Sequence, residues 1–271
     1  MSAAVLLLAA LVFGSCSWAQ DSNDQAPSFS SDSIVNSANN SPASLTPNGL
    51  ATVYGKNLAR STVAVSLAEV GAGKLPTSLG NVRITVGLLI ASLLYVSPTQ
   101  INFIMPVELT AGKYRLLIER QGTSALAEIT LLDAAPGLFV VDNDKLAATH
   151  ADGKLITSES PAKPGEIIVV YGAGLGRTEP RQHDGFIPRV AASILQMDRL
   201  RILLDEQPLP AASILYAGIT PGSPGLYQVN VRLPDTIGAT DPELRVLLAD
   251  QMSQRSLLLK VVPIEPVVSA P

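Results

Sequence analysis

The chain has 271 residues, a net charge of −4, and 15% charged against 47% hydrophobic residues. That balance excludes a disordered chain, supplies apolar material for two cores of ordinary size, and offers no concentrated basic face for nucleic acid. At the N-terminus, Ala3 to Gly14 is an almost unbroken apolar run, and Ser17-Trp18-Ala19 precedes Gln20 with small residues in the cleavage pattern. This reads as an export signal over 1–19. Two other readings stand beside it: a membrane anchor, for which the run is short, and lipidation at Gly14-Ser15-Cys16. Cys16 is the only cysteine, so signal removal leaves nothing for disulfides or thiolate-bound zinc. The expectation is a secreted, periplasmic or cell-surface protein with no membrane span once the signal is gone.

Residues 20–33 are mostly Ser, Asp, Asn and Gln, with one Pro, and read as a solvated leader. Beyond them come short apolar runs broken by turn residues: Leu50–Tyr54, Val82–Val86, Ile101–Met105, Arg115–Ile118, Glu166–Tyr171, Leu200–Leu204, Tyr227–Leu233 and Leu244–Leu248. In the seventh, Val229, Val231 and Leu233 fall on one face and Gln228, Asn230 and Arg232 on the other, the alternation of an antiparallel strand. With 20 Gly and 20 Pro, long helices are not expected; only Val190–Leu200 has a weak helical pattern. The spacing predicts an all-β chain of sandwiches.

Two stretches of the chain repeat each other. Pro47-Asn48-Gly49-Leu50-Ala51-Thr52-Val53-Tyr54-Gly55 aligns with Pro164-Gly165-Glu166-Ile167-Ile168-Val169-Val170-Tyr171-Gly172, 117 positions on (54 to 171). Gln100-Ile101-Asn102 aligns with Gln228-Val229-Asn230, 128 positions on (100 to 228), so the second copy is eleven residues longer between the blocks. A repeat of this length predicts a duplicated domain rather than a solenoid. The expected organisation is two tandem immunoglobulin-like β-sandwiches, over 34–135 and 136–263, followed by a tail over 264–271. Tyr54 with Tyr171, Tyr95 with Tyr216, and Asn102 with Asn230 are the structural repeat positions. The tyrosines read as core residues with their hydroxyls at the sheet rim, and a sugar-stacking platform is the alternative. The amides Gln100, Asn102, Gln228 and Asn230 read as partners for loop backbone groups.

Motifs that suggest chemistry are incomplete. Gly172-Ala173-Gly174-Leu175-Gly176-Arg177 follows a strand as a dinucleotide turn would, but Arg177 replaces the third glycine position and Pro180 follows. Gly174 and the equivalent Asn57 instead fit a turn with positive φ. Gly71-Ala72-Gly73-Lys74 lacks the leading glycine and the Ser/Thr of a phosphate loop. With His150 and His183 as the only histidines, a His-rich metal site is excluded; His183 beside Asp184 leaves a triad open, though no Gly-x-Ser-x-Gly elbow exists. Asp142-Asn143-Asp144 with Asp152-Gly153 offers oxygen ligands, but the spacing matches no complete calcium loop. No cofactor or metal is expected.

Several blocks carry a family resemblance: Ile34-Val35-Asn36-Ser37-Ala38, Leu75-Pro76-Thr77-Ser78-Leu79-Gly80, Leu94-Tyr95-Val96-Ser97-Pro98-Thr99-Gln100-Ile101-Asn102, Ala135-Pro136-Gly137-Leu138-Phe139, Pro161-Ala162-Lys163-Pro164-Gly165, and Ala217-Gly218-Ile219-Thr220-Pro221-Gly222 leading to Gly225-Leu226-Tyr227-Gln228-Val229-Asn230. Over about 33–262 the chain resembles the uncharacterised C-terminal module of secreted acidobacterial proteins of the Solibacter type, and more loosely tandem IPT/TIG immunoglobulin-like domains. The resemblance implies tandem sandwiches and supplies no catalytic residue.

The first functional reading is an exported, non-catalytic protein that binds, adheres or spaces at the cell surface, with an extracellular protein or glycan as partner. The second is an enzyme or accessory acting on extracellular polysaccharide, which needs paired carboxylates; Glu159, Glu166, Glu179 and Asp184 are the available acids. A binding surface is expected on the extra loops of the second copy, at Arg177, Glu179, Arg181, His183 and Asp184, and at Thr220 and Ser223.

Overall fold

The computed structural model describes residues 25–141, 145–238 and 240–262. The expected export signal, Cys16, Asp142-Asn143-Asp144 and the expected 264–271 tail lie outside the described residues. Strands in the first half are β1 (Ile34–Asn36), β2 (Leu50–Tyr54), β3 (Val63–Ala64), β4 (Val82–Val86), β5 (Leu89–Ile90), β6 (Ser92–Val96), β7 (Gln100–Ile104), β8 (Gly112–Arg120) and β9 (Thr123–Leu131). The second half adds β10 (Gly137–Leu138), β11 (Val140–Val141), β12 (Lys145–Leu146), β13 (Ala148–His150), β14 (Ile167–Ala173), β15 (Thr178–Glu179), β16 (Ala192–Ile194), β17 (Leu200–Leu204), β18 (Gln207–Pro208), β19 (Ile214–Ile219), β20 (Tyr227–Arg232), β21 (Leu244–Leu248) and β22 (Gln251–Met252). The chain is all-β, and every pairing between these strands is antiparallel.

Each half is a sandwich. In the first, the sheet β1-β2-β7-β6-β3 faces the sheet β5-β4-β8-β9. Val53, Leu93, Ile101 and Phe103 from one sheet meet Ile84, Leu116, Ile118 and Leu131 from the other in a single buried cluster. In the second, β14-β20-β19-β16-β15, edged by β10 and β13, faces β18-β17-β21-β22. Val170, Ala217, Val229 and Val231 there pack with Ile202, Leu244, Val246 and Leu248. The alternation noted for β20 is the cause: its valines enter the core and its polar residues face out.

The halves share strand registers. Tyr54 pairs with Gln100 and Thr52 with Asn102; Tyr171 pairs with Gln228 and Val169 with Asn230. Tyr95 sits opposite Asn102 after an irregularity beginning at Leu93, and Tyr216 sits opposite Asn230 after one beginning at Ile214. The turn positions match as well, with Asn57 at φ 55° and Gly174 at φ 82°.

Two expectations are corrected. Val190–Leu200 is not helical: it holds β16 and a 3-10 turn at Met197–Arg199, because Ala192 and Ile194 alternate into the core against β19. The one α-helix among the described residues, α1 (Leu67–Gly71), starts at a capping box in which Ser66 and Glu69 satisfy each other's backbone N–H. The stretch expected as a solvated leader meets the first sandwich from residue 25 on. Buried Arg120 donates to the Gln25 and Asn57 carbonyls, and Ser28 exchanges backbone bonds with Lys56.

A third apolar cluster joins the halves. Leu50, Leu75 and Ile104 from the first meet Phe139, Tyr171, Ala173, Ile187 and Leu226 from the second. Each Leu, Ile or Phe side chain among them, fully buried, contributes roughly 1.5–3 kcal/mol. Close backbone approach here requires glycine. A Cβ on Gly174 would lie 2.3 Å from the Ala135 carbonyl, and one on Gly225 would lie 2.6 Å from Ile104 Cδ1. The glycines that resembled a dinucleotide turn thus let the inter-half connection lie against β14.

Candidate functional site: the seam between the halves

The loop over 177–188, expected as a free binding surface, is largely a clasp on the first half. Arg177 donates to the Leu109 carbonyl (2.9 Å), Arg181 pairs with Glu108, and the Asp184 carboxylate accepts the Val107 N–H (2.6 Å). Backbone completes the clasp: Leu75 N–H donates to Gly185 O (2.6 Å) and Ile187 N–H to Gly73 O (3.0 Å). Burial pushes the Asp184 carboxyl above the usual carboxylate range, against the opposing pull of the Val107 N–H. Thr220 and Ser223 are buried in a turn, where Thr220 N–H donates to Leu226 O and Ser223 N–H to Thr220 O. Those two side chains are therefore withdrawn from the surface. Glu179, Arg181 and His183 remain exposed.

Tyr227 was not singled out by the sequence, yet it is the central polar residue of the seam. It is fully buried; Asn48 of the first half donates to its hydroxyl (3.0 Å), and the hydroxyl donates to Gly176 O. Burial raises its pKa strongly. The signal available was the block Gly225-Leu226-Tyr227, but nothing in one sequence pairs it with Asn48.

The repeated residues divide by role. Tyr171 is 8% exposed and belongs to the seam cluster, whereas Tyr54 is 42% exposed, its hydroxyl donating to Asn40 Oδ1 (3.3 Å). Tyr95 is half-buried. The Tyr216 hydroxyl accepts the Ala192 N–H and lies within bonding distance of the Ala192 and Ile219 carbonyls. The amides bond to each other rather than to loop backbone: Gln100 donates to Asn102 (2.8 Å), which also accepts from Thr52, and Gln228 donates to Asn230 (2.9 Å). Their two-residue spacing on one strand face makes this local pairing the shortest available.

His150, rather than His183, meets a carboxylate and a serine. Its Nδ1 donates to Glu166 (2.5 Å), and its Nε2 lies 3.1 Å from both the carbonyl and the hydroxyl of Ser160. The hydrogen bond to Glu166 holds the imidazole protonated above its ordinary 6.5. Through these contacts the imidazole ties β13 to the turn before β14 and to Ser160. Of the other acids considered, Asp184 is in the clasp, and Glu159 and Glu179 are exposed at separate places. Among the described residues no group of three His, Cys, Asp or Glu could hold a metal, and no helix is long and apolar enough to cross a membrane.

Beside the clasp lies a groove of about 570 Å³, lined by 72–74 of the first half and by 180–183 and 186–190 of the second. Its walls include Lys74, Arg181 and Arg189 and no carboxylate. Phe186 and Val190 are 56% and 62% exposed, large apolar side chains that no core claims. Lys74 Nζ stands 5.3 Å above the Phe186 ring, and His183 meets the ring edge-on.

No protein-family model matches the chain, and no curated protein matches it. Solved structures give loose similarity. A Bacteroides ovatus mixed-linkage glucan utilization locus protein, SGBP-B, in complex with a mixed-linkage heptasaccharide, is 11% identical with a TM-score of 0.33; the match covers 80% of this chain and 42% of that one. Domains 5–6 of the S-layer protein SbsC are 9% identical with a TM-score of 0.26, covering 88% and 100%. The Yersinia pseudotuberculosis adhesin InvE is 13% identical with a TM-score of 0.22, covering 87% and 60%. This chain spans less than half the length of the glucan-locus protein, and likeness at this level carries no function across.

Proposed function

We propose that this is an exported, non-catalytic binding module of the cell surface, made of two duplicated sandwiches dividing near Ala134–Phe139. The shared registers at Tyr54/Gln100 and Tyr171/Gln228, and the matching irregularities ahead of Tyr95 and Tyr216, support the duplication. One observation carries the binding reading: residues of both halves line the seam groove, which keeps Phe186 and Val190 exposed although a large shared core lies beside it. Apolar side chains left exposed in a concavity mark a ligand-binding site. His150 links Glu166 to Ser160 within the second half, and Asp184 holds the Val107 N–H of the first. The partner is an extracellular glycan or protein.

An array of extracellular glycans and proteins, screened with the chain lacking its export signal, tests this. The expected result is binding that Phe186→Ala weakens while the melting temperature stays unchanged. Turnover of a polysaccharide, abolished by changing an exposed acid such as Glu179, would replace this reading with the enzymatic one.

A further inference from the structure

Resting on the binding-module reading, we propose that the seam groove takes an acidic polysaccharide, a chain of sugars bearing carboxylates. The chain as a whole carries −4, yet this concavity is lined by Lys74, Arg181 and Arg189 without one acid among its walls. Arg181 is held by Glu108 outside the lining. Among the described residues, Lys74 and Arg189 have no carboxylate partner. Two unneutralised cations in one concave site on an acidic protein are a local attraction for anions that the net charge does not predict.

Both cations are positioned. Phe186 presents its ring face to Lys74, a cation–π contact that fixes where the ammonium stands. Arg189 lies across Gly73, which has φ +85°, and a Cβ there would come within 2.9 Å of the guanidinium. Val190, Pro180 and Pro188 supply apolar wall for the C–H faces of sugar rings. A carboxylate on successive sugars can bridge Lys74 and Arg189 as a charge-assisted pair.

The backbone argues against an extended peptide as the occupant. Peptide recognition by strand addition needs free N–H and C=O groups along an edge. Here the Ile187 N–H is spent on Gly73 O, the Phe186 N–H on His183 O, and Pro188 O on the Gly222 N–H, while Pro180 and Pro188 have no N–H to give. Recognition then falls on side-chain charge and apolar faces, which matches a uronate chain.

The test is binding of the full exported chain to polygalacturonate, with an uncharged β-glucan and polyglutamate as comparison ligands. Lys74→Gln with Arg189→Gln should weaken polygalacturonate binding about threefold to tenfold, as two partly exposed charge pairs would, and added salt should weaken it further. The same charge removed from β8, by Lys113→Gln with Arg115→Gln, should change nothing. Equal weakening by both pairs, or equal affinity for polyglutamate, overturns the assignment. Binding of the uncharged glucan or an array protein, indifferent to Lys74→Gln/Arg189→Gln, overturns the ligand class and leaves the binding-module reading standing. A chain that binds nothing in either experiment overturns both.

Discussion

Tyr54 and Tyr171 hold the same place in their two sheets, each opposite the glutamine of the neighbouring strand, yet one is 42% exposed and the other 8%. The difference lies outside either sandwich. Tyr171 is covered because the first half supplies Leu50, Leu75 and Ile104 against it; among the described residues no such cluster covers Tyr54. A strand register specifies which face a side chain takes, while the neighbouring half decides whether that face is core or surface. The same split separates Tyr227 from its counterpart Thr99, 128 positions earlier: the first is fully buried at the seam, the second is exposed.

The largest effect that can sharpen this comparison is truncation of the two tyrosines. Tyr171→Ala is expected to cost about 3–5 kcal/mol, as for other large buried side chains, whereas Tyr54→Ala should stay within about 1 kcal/mol. Urea unfolding of both variants checks this; similar losses would mean that the repeat position, and not the seam, sets the energetics. Next in size is Tyr227→Phe, which leaves Asn48 Nδ2 without its seam acceptor and Gly176 O without its donor. It should cost about 1–3 kcal/mol. Asn48→Ala combined with it should add less than the sum of the two single losses, which a double-mutant cycle would measure.

The smallest effect concerns His150, a contact within the second half alone. Its folded-state pKa is raised by Glu166, so its contribution is fully present below its ordinary 6.5 and is lost as pH rises through the raised folded value. Stability should therefore fall from mildly acidic to alkaline pH, and His150→Gln should flatten that slope. An unchanged slope in the variant would assign the pH dependence to other groups.

Much of the fold was legible because its signal is local. β2, β4, β17 and β21 match the apolar runs residue for residue, since alternation and flanking turn residues lie within a few positions of each strand. β16 was misread as helix because Ala, Ile and Leu suit either period in so short a run. The site was less legible. Arg177, Arg181, His183 and Asp184 lie close together in the sequence, but one sequence does not reveal that Leu109, Glu108 and Val107 of the other half engage three of them. Thr220 and Ser223 looked like loop residues and are buried, because the turn that carries them closes on Leu226. Of the residues that shape the groove, Lys74 lies 112 or more positions from Phe186 and Arg189, across the seam (74 to 186).

The central claim is that the seam makes one cooperative body of two similar sandwiches. Calorimetry on the full chain tests it most directly. A single transition is predicted, with the calorimetric and van't Hoff enthalpies equal, and Tyr171→Ala should split it into two as the shared core is lost. Two separate transitions in the unaltered chain, unmoved by Tyr171→Ala, would contradict the account.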